Sequence, residues 1–303
     1  MSNHDRVILA HGSGGTMSAE LIAGFVRAFS NPQLAVTCLG PGSLPEPLPF
    51  PLNDQAILPA SGKRLAFTTD SYVISPLFFP GGDIGKLAVC GTVNDLAMGG
   101  AAPLYMSVSF IIEEGFLISE LDRIVASMAK TARGCGVAIV TGDTKVVEKG
   151  KGDGIFINTT GIGMVEDGLD LTPLNIREGD KVIVSGTIGD HGTAVLLARS
   201  DFDIKAGIES DCAPLHELAA DIISAGSGMV RTMRDPTRGG LATILNELIE
   251  DSALGMTVRE VALPVRDPVR GACELLGFEP VYLANEGKLV VIVAPEAAVD
   301  VLE

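Results

Sequence analysis

Strand-like and helix-like patterns interleave along this whole chain, and that alternation restricts the fold more than any other feature of the sequence. Leu104 to Ile112 reads as a strand and Ser119 to Arg133 as a helix. Gly136-Val-Ala-Ile-Val140 opens a strand ending at Gly142, and Ile155 to Val165 forms another. Upstream, Arg64-Leu-Ala-Phe-Thr-Thr-Asp70 reads as a strand ending in an acid, and Ile84 to Met98 as a helix with an apolar face. Thr16 to Phe29 also has helical spacing, after the glycine turn Gly12-Ser-Gly-Gly15. Between them residues 40–53, GPGSLPEPLPFPLN, carry five prolines, which exclude a helix or a central strand and leave an extended loop.

The pattern starts afresh near residue 171. Lys181-Val-Ile-Val-Ser185 reads as a strand, followed by helices His191 to Arg199, Pro214 to Ala225 and Gly239 to Asp251. A strand Met256 to Leu263, a helix Pro268 to Leu276 and a strand Leu289 to Ala294 complete it. Interleaving in both halves predicts an α/β to α+β class. The expected domains are 1–170 and 171–303, and 303 residues suffice for two cores.

The net charge of −16, from 22 Lys plus Arg against 38 Asp plus Glu, argues against nucleic acid or an anionic membrane as a partner. An anionic substrate would need a bound cation or oriented backbone N–H groups. The five cysteines (Cys38, Cys90, Cys135, Cys212, Cys273) are scattered without a C-x-x-C, which fits a reduced, cytoplasmic protein. No apolar run approaches membrane-spanning length.

Familiar nucleotide motifs are imperfect. Gly12-Ser-Gly-Gly-Thr-Met17 has Met where a dinucleotide fingerprint needs its last Gly. Pro80-Gly-Gly-Asp-Ile-Gly-Lys-Leu87 is one residue short of a P-loop and lacks the Ser/Thr for magnesium. His4, His11, His191 and His216 show no metal-ligand spacing. What remains is a set of acids at element ends: Asp54, Asp70, Asp95 and Asp143. Singly, such an Asp is most often a cap or turn former. Asp95 fits that description least, inside an apolar helix beside Asn94. Converging, the four would make an all-oxygen cage suited to magnesium.

Val140-Thr-Gly-Asp-Thr-Lys-Val146 sets Asp143 and Lys145 together at the end of a seemingly buried strand, where ionised groups need partners. Lys145 either neutralises Asp143 or grips a phosphate or takes up a proton. Arg234-Asp-Pro-Thr-Arg-Gly-Gly-Leu241 opens a helix; its glycines and Arg238 suit an anion or a plain helix-entry turn. Ala284-Asn-Glu-Gly-Lys288 reads as a hairpin turn with Glu286 on the surface. Gly189-Asp-His-Gly192 reads as a turn into a helix.

These stretches, in this order, resemble the PurM-like ATP-dependent superfamily and, within it, the HypE carbamoyl dehydratases of NiFe-hydrogenase maturation. The resemblance rests on His11-Gly-Ser-Gly-Gly15, Thr69-Asp-Ser-Tyr-Val73, Asn94-Asp95, Thr141-Gly-Asp-Thr-Lys-Val-Val147, Ser185-Gly-Thr-Ile-Gly-Asp-His-Gly192, Asp235 to Gly240 and Ala284-Asn-Glu-Gly-Lys-Leu-Val290. It implies a PurM-like two-domain fold, with an N-terminal α/β domain that forms a dimeric sheet or barrel and a C-terminal α+β domain closing over the site. It further implies ATP and Mg2+, with Asp54, Asp70, Asp95 and Asp143 as the metal carboxylates. Lys86, Asn94, Thr141, Gly142, Asp235 and Arg238 join the acids around the nucleotide, and Lys145, Glu286 and Asp95 stand as catalytic candidates. Asp83 is a weaker candidate, because the family often has an uncharged residue there.

The implied reaction dehydrates a cysteine S-carboxamide to a thiocyanate, the cyanide source in hydrogenase maturation. The implied partners are a second copy of the chain, the HypF carbamoyltransferase and a HypC–HypD complex as cyanide acceptor. Alternatives are a non-catalytic partner of the maturation complex, or another PurM-like enzyme activating a diffusible amide. Family members end in Pro-Arg-Ile-Cys, whose cysteine receives the carbamoyl group, whereas this sequence stops at Asp300-Val-Leu-Glu303. The expectation is therefore a truncated form that binds nucleotide without modifying itself.

Overall fold

A computed structural model describes residues 15–17, 55–60, 63–199, 207–250 and 252–303. The chain divides into two compact units, 1–52 and 53–303. Of the first, residues 15–17 are helical. The rest of the expected helix, the proline loop and Asp54 lie outside the described residues.

Within 53–303 the first sheet is built from β1 (Ala56–Ala60), β2 (Lys63–Tyr72), β5 (Ala101–Glu113), β6 (Ala138–Val147) and β7 (Ile155–Val165), in the order β1-β2-β7-β5-β6. Only β5 and β6 run parallel, joined by helix α2 (Ile118–Gly134); the other pairs are antiparallel. A small hairpin, β3 (Phe78–Phe79) with β4 (Gly82–Asp83), leads into helix α1 (Ile84–Met98). Asp83 starts that helix as its cap, accepting from the N–H groups of Gly85 (2.8 Å) and Lys86 (3.1 Å). Ser127 of α2 donates to the same carboxylate at 2.6 Å. Asp83 is therefore committed to capping.

Helix α1 has no polar face. Thirteen of its 15 residues are buried, because β2, β5 and β7 pack on one side and α2 on another. Its C-terminal end, Ala97 and Met98, enters a second core with Leu215, Ile222, Met233 and Val291. That core belongs to the second sheet, β8 (Lys181–Val184), β9 (Val230–Arg234) and the central β10 (Val290–Val293), all antiparallel. Around it lie α3 (Asp190–Arg199), α4 (His216–Ala225), α5 (Gly240–Glu247), α6 (Asp267–Leu276) and α7 (Ala298–Leu302). All four residues of β10 are buried, and each such Val or Ile contributes about 1.5–3 kcal/mol of transfer free energy.

Two expectations fail here. Met256 to Leu263 is not a strand: it pairs with no strand among the described residues and contains a 3-10 turn at Glu260–Ala262. The strand from Gly136 is not buried and does not stop at Gly142. It runs on to Val147 as β6, an edge strand exposed over nearly all its length.

Strand alternation gives the first sheet two different faces. Ala66, Thr68, Asp70 and Tyr72 of β2 point toward α1, with Thr159, Ile157 and Val108 on the same side. The opposite face carries polar rows across four strands: Thr69, Thr160, Ser107 and Thr141, then Ser71, Asn158, Ser109 and Asp143. Asn158 donates to the carbonyl of Asp70 (2.8 Å) and to Ser71 (3.0 Å), and Thr160 to Thr69 (3.1 Å).

Candidate functional site

The helix-facing side of β2 gathers acids from distant parts of the chain. Asp95 of α1 accepts a hydrogen bond from Thr68 at 2.7 Å, two positions from Asp70 on the same face. Tyr72, the next residue on that face, is 7% exposed, and its hydroxyl lies buried between the side chains of Asp70 and Thr92. Burial pushes its acidity well out of range, and the charges of Asp70, Asp95 and Glu286 reinforce that. The Asp70 carboxyl is also raised, by burial first, against the lowering influence of Tyr72, the Arg238 charge and the Ser71 N–H. Strand β2, helix α1 and the segment after β9 thus meet at one place.

Glu286 reaches the same place from the second half of the chain. Its carboxyl is raised well above the ordinary range, chiefly by burial, then by Cys212, Asp235, Asp211 and Asp70. A carboxylate so placed is more basic than an ordinary one. The turn bearing it is not a hairpin: a 3-10 turn, Pro280–Tyr282, precedes it rather than a strand. Asn285, fully buried, ties three loops together. It accepts from the N–H of Gly189 (2.8 Å) and donates to the carbonyls of Pro236 (3.1 Å) and Leu283 (3.1 Å). The 185–192, 235–240 and 284–290 stretches therefore converge, and Asp190 completes the cluster with an ion pair to Arg266 at 3.0 Å.

The other expected site residues fall differently. Asp143 and Lys145 lie on the polar face of β6, opposite to Asp70, with β7 and β5 between, which is roughly 14 Å of sheet. They pair with each other at 2.7 Å and are 60% and 69% exposed. The Lys145 bond and the Thr144 N–H hold the Asp143 carboxyl below its usual range. Thr141 and Gly142 share that exposed strand, lining a shallow depression with Ile139 and Phe110. One chain therefore does not assemble the four-acid cage, because side-chain alternation points Asp143 away from Asp70 and Asp95.

Asn94 is 1% exposed, and the chain's own backbone occupies its amide. It accepts from Leu215 N–H (2.8 Å) and donates to the carbonyls of Ala213 (3.2 Å) and Glu286 (3.3 Å). It braces the Glu286 turn. Lys86 donates to the carbonyl of Gly81 at 3.0 Å. Gly239 and Gly240 serve packing: a Cβ on Gly240 (φ +62) would meet the carbonyl oxygens of Val281 and Leu283 at 2.5 and 2.6 Å.

Comparison with known proteins agrees with this architecture. Residues 52–165 match the family "AIR synthase related protein, N-terminal domain", and 177–303 match "AIR synthase related protein, C-terminal domain". A carbamoyl dehydratase HypE of Rhizobium leguminosarum bv. viciae is 52% identical over 298 residues, covering 98% of this chain and 81% of that one. This chain belongs to the HypE carbamoyl dehydratase family. A HypE crystal structure in complex with ATP is 47% identical, with a TM-score of 0.77 over 98% of this chain and 84% of that one. A HypE–HypF complex gives a TM-score of 0.83 at 46% identity over 95% and 87%. The two-domain PurM-like fold with mixed α/β content follows from these matches.

The residues present fit a magnesium–nucleotide pair better than a metal held by protein alone. Magnesium is commonly held by one or two carboxylates, with phosphate oxygens and waters completing its shell. Asp70 and Asp95 supply two, on the same side of β2. Among the described residues no group of three or more His, Cys, Asp or Glu could hold a metal. Tyr72, Asp211 and Asn285 were missed from sequence. Only Tyr72, two residues after Asp70, carried a signal, the period-2 alternation.

Proposed function

We propose that this chain dehydrates a cysteine S-carboxamide, –S–CO–NH2, to a thiocyanate, –S–C≡N, at the expense of ATP. The observation that carries this reading is the meeting of Asp70, Asp95, Arg238 and Glu286, from both halves of the chain, at one place beside the Tyr72 hydroxyl. Amide oxygen is a poor leaving group, and magnesium-ATP, when bound, supplies the phosphoryl group that makes it a good one. Asp70 and Asp95 would hold the cation, and Arg238 would grip phosphate oxygens. The first N–H proton is lost as the O-phosphorylated carboxamide forms. The second leaves as the C–O bond breaks and phosphate departs, which closes the nitrile. The Glu286 carboxylate, made more basic by its surroundings, takes one of these protons, and the departing phosphate carries the other away.

The working unit in this reading is a homodimer. The open edge of β6 and the polar rows beside it join a second copy, and that copy's Asp143 and Lys145 complete the site from across the interface. HypF is a partner by analogy with the HypE–HypF complex, and a HypC–HypD complex accepts the cyanide. Residues 1–170 and 171–303 act as the two domains, with the two sheets on either side of residue 171.

Mixing two inactive variants tests this. Asp95→Asn and Asp143→Asn each abolish magnesium-dependent ATP turnover alone. Co-refolded, they form mixed dimers in which one of the two sites has both acids intact, and turnover returns. Retained ATP binding by Asp95→Asn contradicts the site, and absence of recovery on mixing contradicts its assembly from two copies.

A further inference from the structure

Glu286 owes its position to a buried carboxylate that faces its backbone. Asp211, whose side chain is 4% exposed, accepts the N–H of Glu286 at 3.1 Å and that of Gly287 at 3.3 Å, and pairs with the Lys288 ammonium at 3.5 Å. Three successive residues of the turn are thus gathered on one side chain. Contact is close on the main chain as well. A Cβ on Gly287 would overlap the carbonyl oxygen of Asp211, and the Ala213 N–H donates to the Glu286 carbonyl at 3.3 Å.

The segment holding Asp211 is itself pinned. Ser210 donates its N–H to the Pro80 carbonyl at 2.8 Å, and its hydroxyl bonds His191 Nδ1 at 2.8 Å and accepts the Cys212 N–H at 3.1 Å. A Cβ on Gly81 would collide with the Ser210 backbone, so the turn before β4 and this segment interlock. A strap over 208–213 therefore runs from the N-terminal half of the unit to the Glu286 turn, and Asp211 is its contact point.

We propose that Asp211 is a positioning residue for the dehydration: it fixes the main chain of Glu286–Lys288 and so aims the Glu286 carboxyl at the reacting carboxamide. This rests on the proposed function, since it takes Glu286 as the proton-exchanging group. The Asp211 side chain meets the turn at two backbone N–H groups and the Lys288 ammonium, so its loss alters where Glu286 points without removing a proposed nucleotide ligand. Displacements of about 1 Å near reacting atoms cost up to about a hundredfold in rate.

The test uses the chain with magnesium-ATP and a peptide ending Pro-Arg-Ile-Cys, its cysteine S-carbamoylated, with loss of one water read by mass. Asp211→Asn keeps one acceptor oxygen and the residue's shape, whereas Asp211→Ala removes both oxygens. The expected result is a fall in kcat of about tenfold for Asn and about a hundredfold for Ala, with KM for ATP within about twofold of wild type. Because Ala at a buried site endangers folding, the Asn variant decides, with its thermal midpoint measured alongside. A kcat within about twofold of wild type in folded Asp211→Asn overturns the inference. So does a loss of kcat matched by an equal loss of ATP affinity, which marks a general structural role. A wild-type chain that binds ATP but never dehydrates the peptide refutes the dehydratase reading instead.

Discussion

His191 should make the fold lose stability on mild acidification, and the size of the loss follows from its surroundings. The ring lies second in α3, with Nδ1 bonded to the Ser210 hydroxyl at 2.8 Å and its plane edge-on to Phe79, centroids 5.5 Å apart. Burial lowers its pKa from 6.5 to about 4, only partly offset by the Asp211 charge. Unfolded chains therefore take up a proton on this ring below pH 6.5, while the folded chain resists until about 4. In that window the unfolded state binds one more proton, so stability falls as pH falls, by about 1.4 kcal/mol per pH unit. The loss is about 2 kcal/mol at pH 5 and about 3 kcal/mol once the folded ring also titrates. Asp70 and Glu286, raised in the fold, act in the opposite sense: they bind protons more readily when folded and gain stability as pH falls through their folded pKa. Comparison with His191→Gln cancels that contribution. Urea unfolding of both proteins at pH 7, 6 and 5 avoids the acidic range where the net charge of −16 collapses. The stability difference between wild type and variant should shrink by about 2 kcal/mol from pH 7 to pH 5. A difference that stays constant across that range means the ring is as easily protonated folded as unfolded, and refutes the argument.

Two further outcomes separate structural from functional polar residues. Asn285→Ala leaves the Gly189 N–H without its acceptor in a buried junction, so urea unfolding should show a loss of about 2–4 kcal/mol. Calorimetric ATP affinity should fall with it, as the Arg238 and Glu286 loops part. Asp83→Ala removes the cap of α1 and should cost about 1–2 kcal/mol, with ATP affinity by calorimetry unchanged. A lost affinity would instead make the Gly81-to-Leu87 stretch a phosphate loop.

Element type was mostly legible, and environment much less so. The helix read over Ile84 to Met98 ends at those same residues, because the Asp83 cap and the Gly99-Gly100 stop are local chemistry. What that helix buries was not local. A sequence window shows apolar residues, not that sheet and helices enclose them from every side. Met256 to Leu263 alternates like a strand, yet the second sheet ends at β8 and β9 and offers it no pairing. Glu286 read as a surface turn residue because turns usually lie outside. Its position comes from Asn94 and Asp211, 192 and 75 positions away in sequence.

The misreading of β6 is the most instructive case. Gly136-Val-Ala-Ile-Val140 is as apolar as a central parallel strand, and its pairing with β5 is indeed parallel. In one chain, though, Ile139, Val140 and Val146 are 41%, 59% and 68% exposed, and the strand's outer edge is unpaired among the described residues. Open apolar edges invite another strand, and soluble proteins usually blunt or cover them. Lys145 on this edge is engaged with Asp143 beside it, so the pair adds no net charge to repel an approaching copy. A sequence built for burial on a strand that one chain leaves bare is what a partner-covered edge looks like. In the proposed homodimer, the same covering would bring Asp143 off its solvent-facing row and toward the site that lacks a carboxylate.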